Sequence, residues 1–264
     1  MQPVQQSSVQ SADGTSIGFE TAGAGEPLIF VTGASNDRMA AAPLAAALRD
    51  SFTCISYDRR GRGTSGDTRP YDIRREVEDL EALLGLYGGR GHVFGYSSGA
   101  ILALRAAVDG LDFQTIVLYE PPLFMAGGTP ASTVEHVRRI EELVAGRRPG
   151  DAVEYFQTVV VGIPPAALHG QRKAPFWSGM EAIAQTLAYD QAICGDPNVS
   201  VEALSRVSIP SFVLSGDATF PGLAEAAKGV AAMIPGGVWR NIAGQGHDLS
   251  AEALAPVFRE LLGR

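Results

Sequence analysis

Ser97 is the residue in this chain best placed to act as a nucleophile. It lies in Gly95-Tyr96-Ser97-Ser98-Gly99, between an apolar run, His92-Val93-Phe94, that reads as a buried strand and residues 100–107, which read as a helix. A G-x-S-x-G pattern between strand and helix makes a turn so tight that side chains at its flanks collide, hence Gly95 and Gly99. The turn lifts the Ser97 hydroxyl out of the sheet. The helix start behind it offers unpaired backbone N–H groups and a positive dipole end, where an oxyanion can form.

A serine hydroxyl is a poor nucleophile at neutral pH and needs a base. The chain has four histidines. His92 starts the strand before Ser97 and reads as a packed residue, His136 lies in a charged helical stretch, and His169 sits in a loop flanked by Pro and Gly. His247, in Ala243-Gly244-Gln245-Gly246-His247-Asp248, follows the last strand pattern, where a short glycine loop can carry it to the sheet edge that holds Ser97. Another motif, Asp58-Arg59-Arg60-Gly61-Arg62-Gly63-Thr64-Ser65-Gly66, is rich in Gly and Arg but lacks the Gly-Lys-Ser/Thr ending of a phosphate-binding loop. Its arginines read as partners for carbonyls and carboxylates. No His/Cys/Asp cluster has ligand spacing, so no metal is expected.

Positioning Ser97 and His247 requires a sheet. Strand patterns fall at residues 7–11, 16–21, 27–32, 52–57, 92–94, 115–119, 211–215 and 238–242; helical patterns fall at 38–50, 72–86, 100–107, 223–233 and 251–262. Continuous apolar strands alternating with helices imply a mostly parallel sheet covered on both faces. From Leu123 to Arg206 the pattern is helical, broken by Pro and Gly, and no buried strand is evident. The division expected is a core of residues 1–122 and 207–264 with a helical cap over 123–206.

The remaining composition narrows the class. The 264 residues are 45% hydrophobic and 19% charged, with a net charge of -8 and no long basic run, which fits a globular protein and disfavours nucleic acid and anionic membranes as partners. Two distant cysteines, Cys54 and Cys194, imply no disulfide framework. No signal peptide or membrane span is visible at the sequence level, so a cytoplasmic location is expected. A homodimer is compatible with the sequence.

The elbow at Ser97, the loop from Tyr57 to Ser65 and the late Gly246-His247 pair, in that order, resemble the α/β-hydrolase superfamily over almost the whole chain. The resemblance implies an eight-stranded α/β-hydrolase sheet with a cap after the sixth strand, a Ser97 nucleophile, a His247 base, an acid and an oxyanion hole. The superfamily often has His-Gly after its third strand; this chain has Thr32-Gly33-Ala34, so the hole is expected from the amides of Ser98 and of Ala34 or Gly33. Ser35 and Asn36 offer further polar groups. The superfamily's acid usually stands in Gly-x-x-Asp after the seventh strand, and here Gly216-Asp217-Ala218-Thr219 puts threonine there. Glu120, closing the sixth strand before Pro121 and Pro122, is the favoured acid, with the prolines expected to hold its backbone extended. Asp217 is the alternative and Asp248 a third; a role for Glu120 as partner of Arg59 or Arg60 is the structural reading.

Most cap aromatics, such as Phe124, Tyr155, Phe156 and Phe176, are expected to join cap to core, whereas Trp177, Met125 and Tyr189 are expected to face a substrate. Asp190 reads equally as a helix-surface or a pocket residue. The Ser-Ser-Gly-Ala elbow and the acid placement are similar to those of zearalenone-type lactone hydrolases. Together these readings imply a cofactor-free serine hydrolase cleaving a carboxylic ester or lactone of a small apolar substrate. Lyase, cyclase or C–C hydrolase chemistry at the same site, and a ligand-binding homologue with little turnover, are the alternatives.

Overall fold

The central apolar runs, with a polar β1 and a mostly exposed β8 at the edges, form one eight-stranded sheet in the order β1-β2-β4-β3-β5-β6-β7-β8. It is seen in a computed structural model that describes residues 5–123, 130–168, 170–220 and 222–263. The strands are β1 (Gln5–Gln10), β2 (Ser16–Ala22), β3 (Glu26–Val31), β4 (Phe52–Tyr57), β5 (Gly91–Tyr96), β6 (Phe113–Tyr119), β7 (Ser211–Gly216) and β8 (Val238–Ile242). β1 and β2 pair antiparallel, as do β2 and β4; from β4 through β8 every pairing is parallel. Parallel pairing brings the C-terminal ends of β3, β5, β6, β7 and β8 to one edge, where Gly33, Ala34, Ser97, Ser98, Glu120, Asp217 and His247 lie at or just beyond those ends.

Strand alternation divides the core into two layers. Ile29, Val31, Ile55, Val93, Ile116 and Leu118 face one side with α2 (Ile73–Gly85), α3 (Ser98–Val108) and α9 (Leu223–Met233). Leu28, Phe30, Phe94, Val117 and Tyr119 face the other, against α1 (Ala42–Leu48) and α10 (Ala251–Leu261). The helix α2 shows how sequence becomes element. Asp72 caps its start by accepting from the Arg74 amide, and Val77, Leu80 and Leu84 lie at helical spacing on its buried face.

Between β6 and β7 the described chain runs through α4 (Pro130–Ala145), α5 (Pro149–Tyr155), α6 (Trp177–Ala182), α7 (Thr186–Cys194) and α8 (Val201–Leu204), with no strand among the described residues. The insertion has an apolar cluster of its own, including Ile140, Leu143, Val153, Phe156, Trp177 and Leu187. Its last part does not stand apart, because Ile193, Val199 and Leu204 belong to the sheet's own core. The helix α7 packs on α3, which begins just after Ser97. Among the described residues no helix is long and apolar enough to cross a membrane.

Candidate active site

Ser97 sits between β5 and α3 with φ at 55° and ψ at -125°, a conformation that L-residues rarely adopt and that persists only when its surroundings enforce it. Close packing enforces it here. A Cβ on Gly99 would lie 2.2 Å from the Val31 carbonyl oxygen, and one on Gly95 would lie 2.5 Å from the Ala100 Cα. Although Ser97 occupies the N-cap position of α3, its hydroxyl makes no capping hydrogen bond. It is left for His247, whose Nε2 is 3.2 Å from Ser97 Oγ.

The other imidazole nitrogen, Nδ1, lies 2.5 Å from Oε2 of Glu120. Glu120 is fully buried and receives two further hydrogen bonds, from the Gly216 amide at 2.9 Å and the Thr219 hydroxyl at 2.7 Å. Its backbone has φ at 50°, which corrects the expectation of an extended chain before the prolines. With its own N–H bound to the Leu214 carbonyl, the turned backbone carries the side chain across the end of β7. Ser97, His247 and Glu120 are thus brought together from β5, the loop after β8, and the end of β6.

The other acids stand elsewhere. Asp217 is exposed, and its Oδ1 accepts from the Gly244 amide at 2.6 Å, bracing the loop that precedes His247. Asp248 is exposed. Two tyrosines that the sequence does not single out anchor the histidine's backbone: the Tyr119 phenol donates to the Gly246 carbonyl and the Tyr96 phenol to the His247 carbonyl, each at 2.5 Å. Burial, the largest cause, and then the Glu120 charge push both phenols up from their ordinary pKa, so they remain donors. The ring of Phe220 meets the His247 imidazole edge-on at 5.8 Å between centroids and is 39% exposed, placing an aromatic surface beside the imidazole.

The loop after β3 supplies the opposite wall. A Cβ on Gly33 would meet Ser97 Cβ at 2.8 Å, so only glycine lets that loop approach Ser97. Among the described residues, no hydrogen bond is made by the backbone N–H of Ala34 or of Ser98. Ser35 has φ at 60°, and the Asn36 side chain donates 2.6 Å to the Ala34 carbonyl, holding the turn.

The arginine loop is a buried ionic scaffold. Arg59 pairs with Glu76 and Asp190, Arg60 with Asp79 and Asp13, and Arg62 with Asp190. None of them pairs with Glu120. Asp190 resolves as neither surface nor pocket residue: it is fully buried at the junction of α7, the arginine loop and the elbow.

Two residues expected to face a substrate are engaged instead in packing, Trp177 within the insertion and Tyr189 between the insertion and the core. Trp177 is 2% exposed within the insertion's apolar cluster, its indole N–H donating 2.9 Å to Glu181 and its ring beneath Arg172. Tyr189 stacks on Tyr71 with centroids 3.9 Å apart, and its hydroxyl donates to Asp67 at 2.8 Å. Both aromatics are consumed by packing that hydropathy alone does not distinguish from a pocket lining. Met125 and Phe124, and also His169, lie outside the described residues. Among the described residues no group of three or more His, Cys, Asp or Glu side chains is arranged to hold a metal ion.

The fold agrees with the comparisons to known proteins. Residues 28–260 match the alpha/beta hydrolase family, and the chain belongs to that family. An alpha/beta hydrolase from Sphaerobacter thermophilus is 42% identical, over 97% of this chain and 100% of that one, with a TM-score of 0.88. A thermophilic esterase from Thermogutta terrifontis (malate bound) superposes with a TM-score of 0.78 over 98% of both chains; at 23% identity, that likeness concerns the fold. The N-formylmaleamate deformylase of Pseudomonas putida is 30% identical over 135 residues, 49% of this chain and 50% of that protein, so the aligned part spans half the relative's length.

Proposed function

We propose that the protein is a serine hydrolase that cleaves a carboxylic ester or lactone of an uncharged, apolar substrate and needs no cofactor for the chemistry. One observation carries this reading: Ser97 Oγ lies 3.2 Å from His247 Nε2, whose other nitrogen is 2.5 Å from the buried Glu120 carboxylate. In the first half-reaction His247 takes the Ser97 proton as the hydroxyl oxygen attacks the carbonyl carbon. Glu120 holds the imidazole tautomer and stabilises the imidazolium. The carbonyl oxygen turns toward the amides of Ser98 and Ala34, and the alkoxide leaves with the proton from His247. Water activated by the same imidazole then releases the acyl group and regenerates the Ser97 hydroxyl.

An uncharged substrate is favoured because Arg38, Arg59, Arg60 and Arg62, the arginines of the two loops beside the site, are all paired with the protein's own carboxylates. Phe220 beside His247 supplies an apolar wall. A serine rather than an aspartate at the elbow argues against alkyl-enzyme chemistry on halides or epoxides. The likeness to a deformylase brings amides into the range to be tested.

The test is intact-mass spectrometry after incubation with a fluorophosphonate, followed by a panel of aryl esters, lactones and formamides. A single adduct on Ser97, lost in Ser97→Ala and in His247→Ala, supports the reading. Folded wild-type protein that forms no adduct and turns over none of the panel refutes it.

A further inference from the structure

The carboxylate of Asp190 occupies an unusual place: a charged group, buried to 0% exposure, projecting from the inserted helix α7 into the elbow. Four hydrogen bonds converge on it. Ser98 Oγ donates to Oδ1 at 2.8 Å, Arg59 Nη1 donates to Oδ1 at 2.7 Å, and Arg62 Nη2 donates to Oδ1 and Oδ2 at 2.9 and 2.7 Å. Both guanidinium groups continue beyond it. Arg62 Nη1 donates to the carbonyls of Gly33 at 2.6 Å and Asn36 at 2.9 Å, and Arg59 Nη1 donates to the carbonyl of Thr32 at 3.2 Å.

These partners belong to the two walls of the oxyanion hole. Ser98 follows the nucleophile and carries one candidate amide; Gly33 and Asn36 flank the loop that carries the other, at Ala34. We propose that Asp190 is the positioning residue that sets the separation and direction of the two oxyanion-hole amides, binding Ser98 directly and the loop after β3 through Arg62 and Arg59. The proposal rests on the serine-hydrolase reading above and adds to it that the inserted segment supplies part of the preorganisation of the site.

Two physical points distinguish this role from simple attachment of α7 to the core. Buried ion pairs are poor glue, since desolvation offsets much of their attraction and apolar contact would hold the helix as well. Leu187 and Ile193 already supply such contact. The second point is the donor count. Every group facing Asp190 is a donor, so only a carboxylate satisfies them; an asparagine in its place would turn an NH2 toward a guanidinium and leave a donor unpaired. Arg59 and Arg62 are both fully buried and repel each other, and the carboxylate between them fixes where each can lie. The Arg62 and Arg59 charges and the Ser98 hydroxyl outweigh burial and hold the Asp190 carboxyl below the ordinary carboxylate range, so it is ionised.

The experiment compares wild type, Asp190→Asn and Ser98→Ala. The second variant keeps the backbone amide and removes only the hydroxyl tether. Circular dichroism and the end point of Ser97 titration by a fluorophosphonate establish the folded, competent fraction, and all rates are expressed per titrated site. Acylation by 4-nitrophenyl acetate is followed in single turnover, together with affinity for an aryl trifluoromethyl ketone, whose hemiketal oxygen occupies the hole. Asp190→Asn is expected to lower the acylation rate by about 100-fold, the scale of losing one oxyanion donor. Half-saturating ester concentration should change by less than about threefold, and ketone affinity should fall in parallel with the rate. Ser98→Ala should show the same pattern at about tenfold, on the scale of a charge-assisted hydrogen bond. A purely structural role lowers the titrated fraction and leaves the rate per site and the ketone affinity within about threefold of wild type, which overturns the proposal. If Asp190→Asn does not fold, Ser98→Ala alone decides. Wild type that is neither labelled nor active refutes the hydrolase reading, and the proposal with it; active wild type with unaffected variants refutes only the proposal.

Discussion

The Thr219 hydroxyl lies 2.7 Å from Oε2 of Glu120, the same oxygen that faces His247 Nδ1. Thr219 stands where the superfamily usually has its acid, and here it donates to an acid supplied by the neighbouring strand. The end of β7 therefore supports the Glu120 carboxylate with two donors, the Gly216 amide and the Thr219 hydroxyl.

Glu120→Gln should reduce turnover of an activated ester by about 10³- to 10⁴-fold, because the amide cannot stabilise the imidazolium and favours the wrong tautomer. Asp217→Asn should stay within about threefold of wild type, since its carboxylate faces the Gly244 amide and not the imidazole. Steady-state kinetics on both variants checks the pair; equal losses would contradict the assignment.

A relocated acid follows from the same geometry. Introduced together, Glu120→Gln and Thr219→Asp should recover at least about tenfold of the activity lost in Glu120→Gln alone, because a carboxylate then arises at the hydroxyl that already reaches Glu120. Thr219→Asp in an otherwise wild-type protein should instead impair activity, by setting two carboxylates side by side. Comparing the three variants by kcat/KM decides it.

Gly33→Ala tests the close approach of the loop after β3. Its methyl would lie 2.8 Å from Ser97 Cβ and 2.9 Å from the Tyr96 carbonyl oxygen, neither at the end of a flexible side chain. The loop must retreat, at about 1–3 kcal/mol of stability, and acylation should slow by more than about tenfold. Thermal melting and single-turnover acylation would read the two effects separately.

Stability should fall with acidification through His92. The residue is 5% exposed, its Nδ1 has no hydrogen-bond partner, and burial lowers its pKa from the ordinary 6.5 despite the half-exposed Glu26 carboxylate 3.5 Å from its Nε2. The folded protein favours the neutral ring while the unfolded chain takes up a proton near 6.5, so the stability from this group is full above that pH. It is lost as pH falls from about 6.5 toward the lowered folded value, with a slope of at most about 1.4 kcal/mol per pH unit. His92→Phe should flatten the change in urea midpoint between pH 7 and pH 5.5; an unchanged slope would show that other groups dominate.

What could be read from the chain follows from what local sequence encodes. Period-two and helical hydropathy, glycine-bounded turns and the strand–turn–helix context of Ser97 are short-range signals, and they yielded the order of strands and helices along the chain, the elbow and the loop that bears His247. The strand at 52–57, the helix at 223–233 and the strand at 238–242 coincide with β4, α9 and β8.

The acid was legible as a short choice among Glu120, Asp217 and Asp248, each near a strand end on the right sheet edge. Which of them meets His247 depends on backbone direction at one residue, the positive φ of Glu120, and no nearest-neighbour rule before a proline anticipates it. The roles of Trp177, Tyr189 and Asp190 lay further out of reach. An aromatic in an inserted helix is equally apolar whether it lines a pocket or seals a packing contact, and Trp177 and Tyr189 find partners within the insertion and across to the core. Asp190 lies 92 residues from Ser98 and 131 from Arg59 in sequence. The sequence by itself determined the fold and put Ser97 and His247 at one edge of the sheet, because these are written in local pattern; only the tertiary structure brought the Glu120 carboxylate to His247 and the buried Asp190 carboxylate beneath the loop after β3, because each depends on side chains meeting across strands and helices that the chain's order keeps far apart.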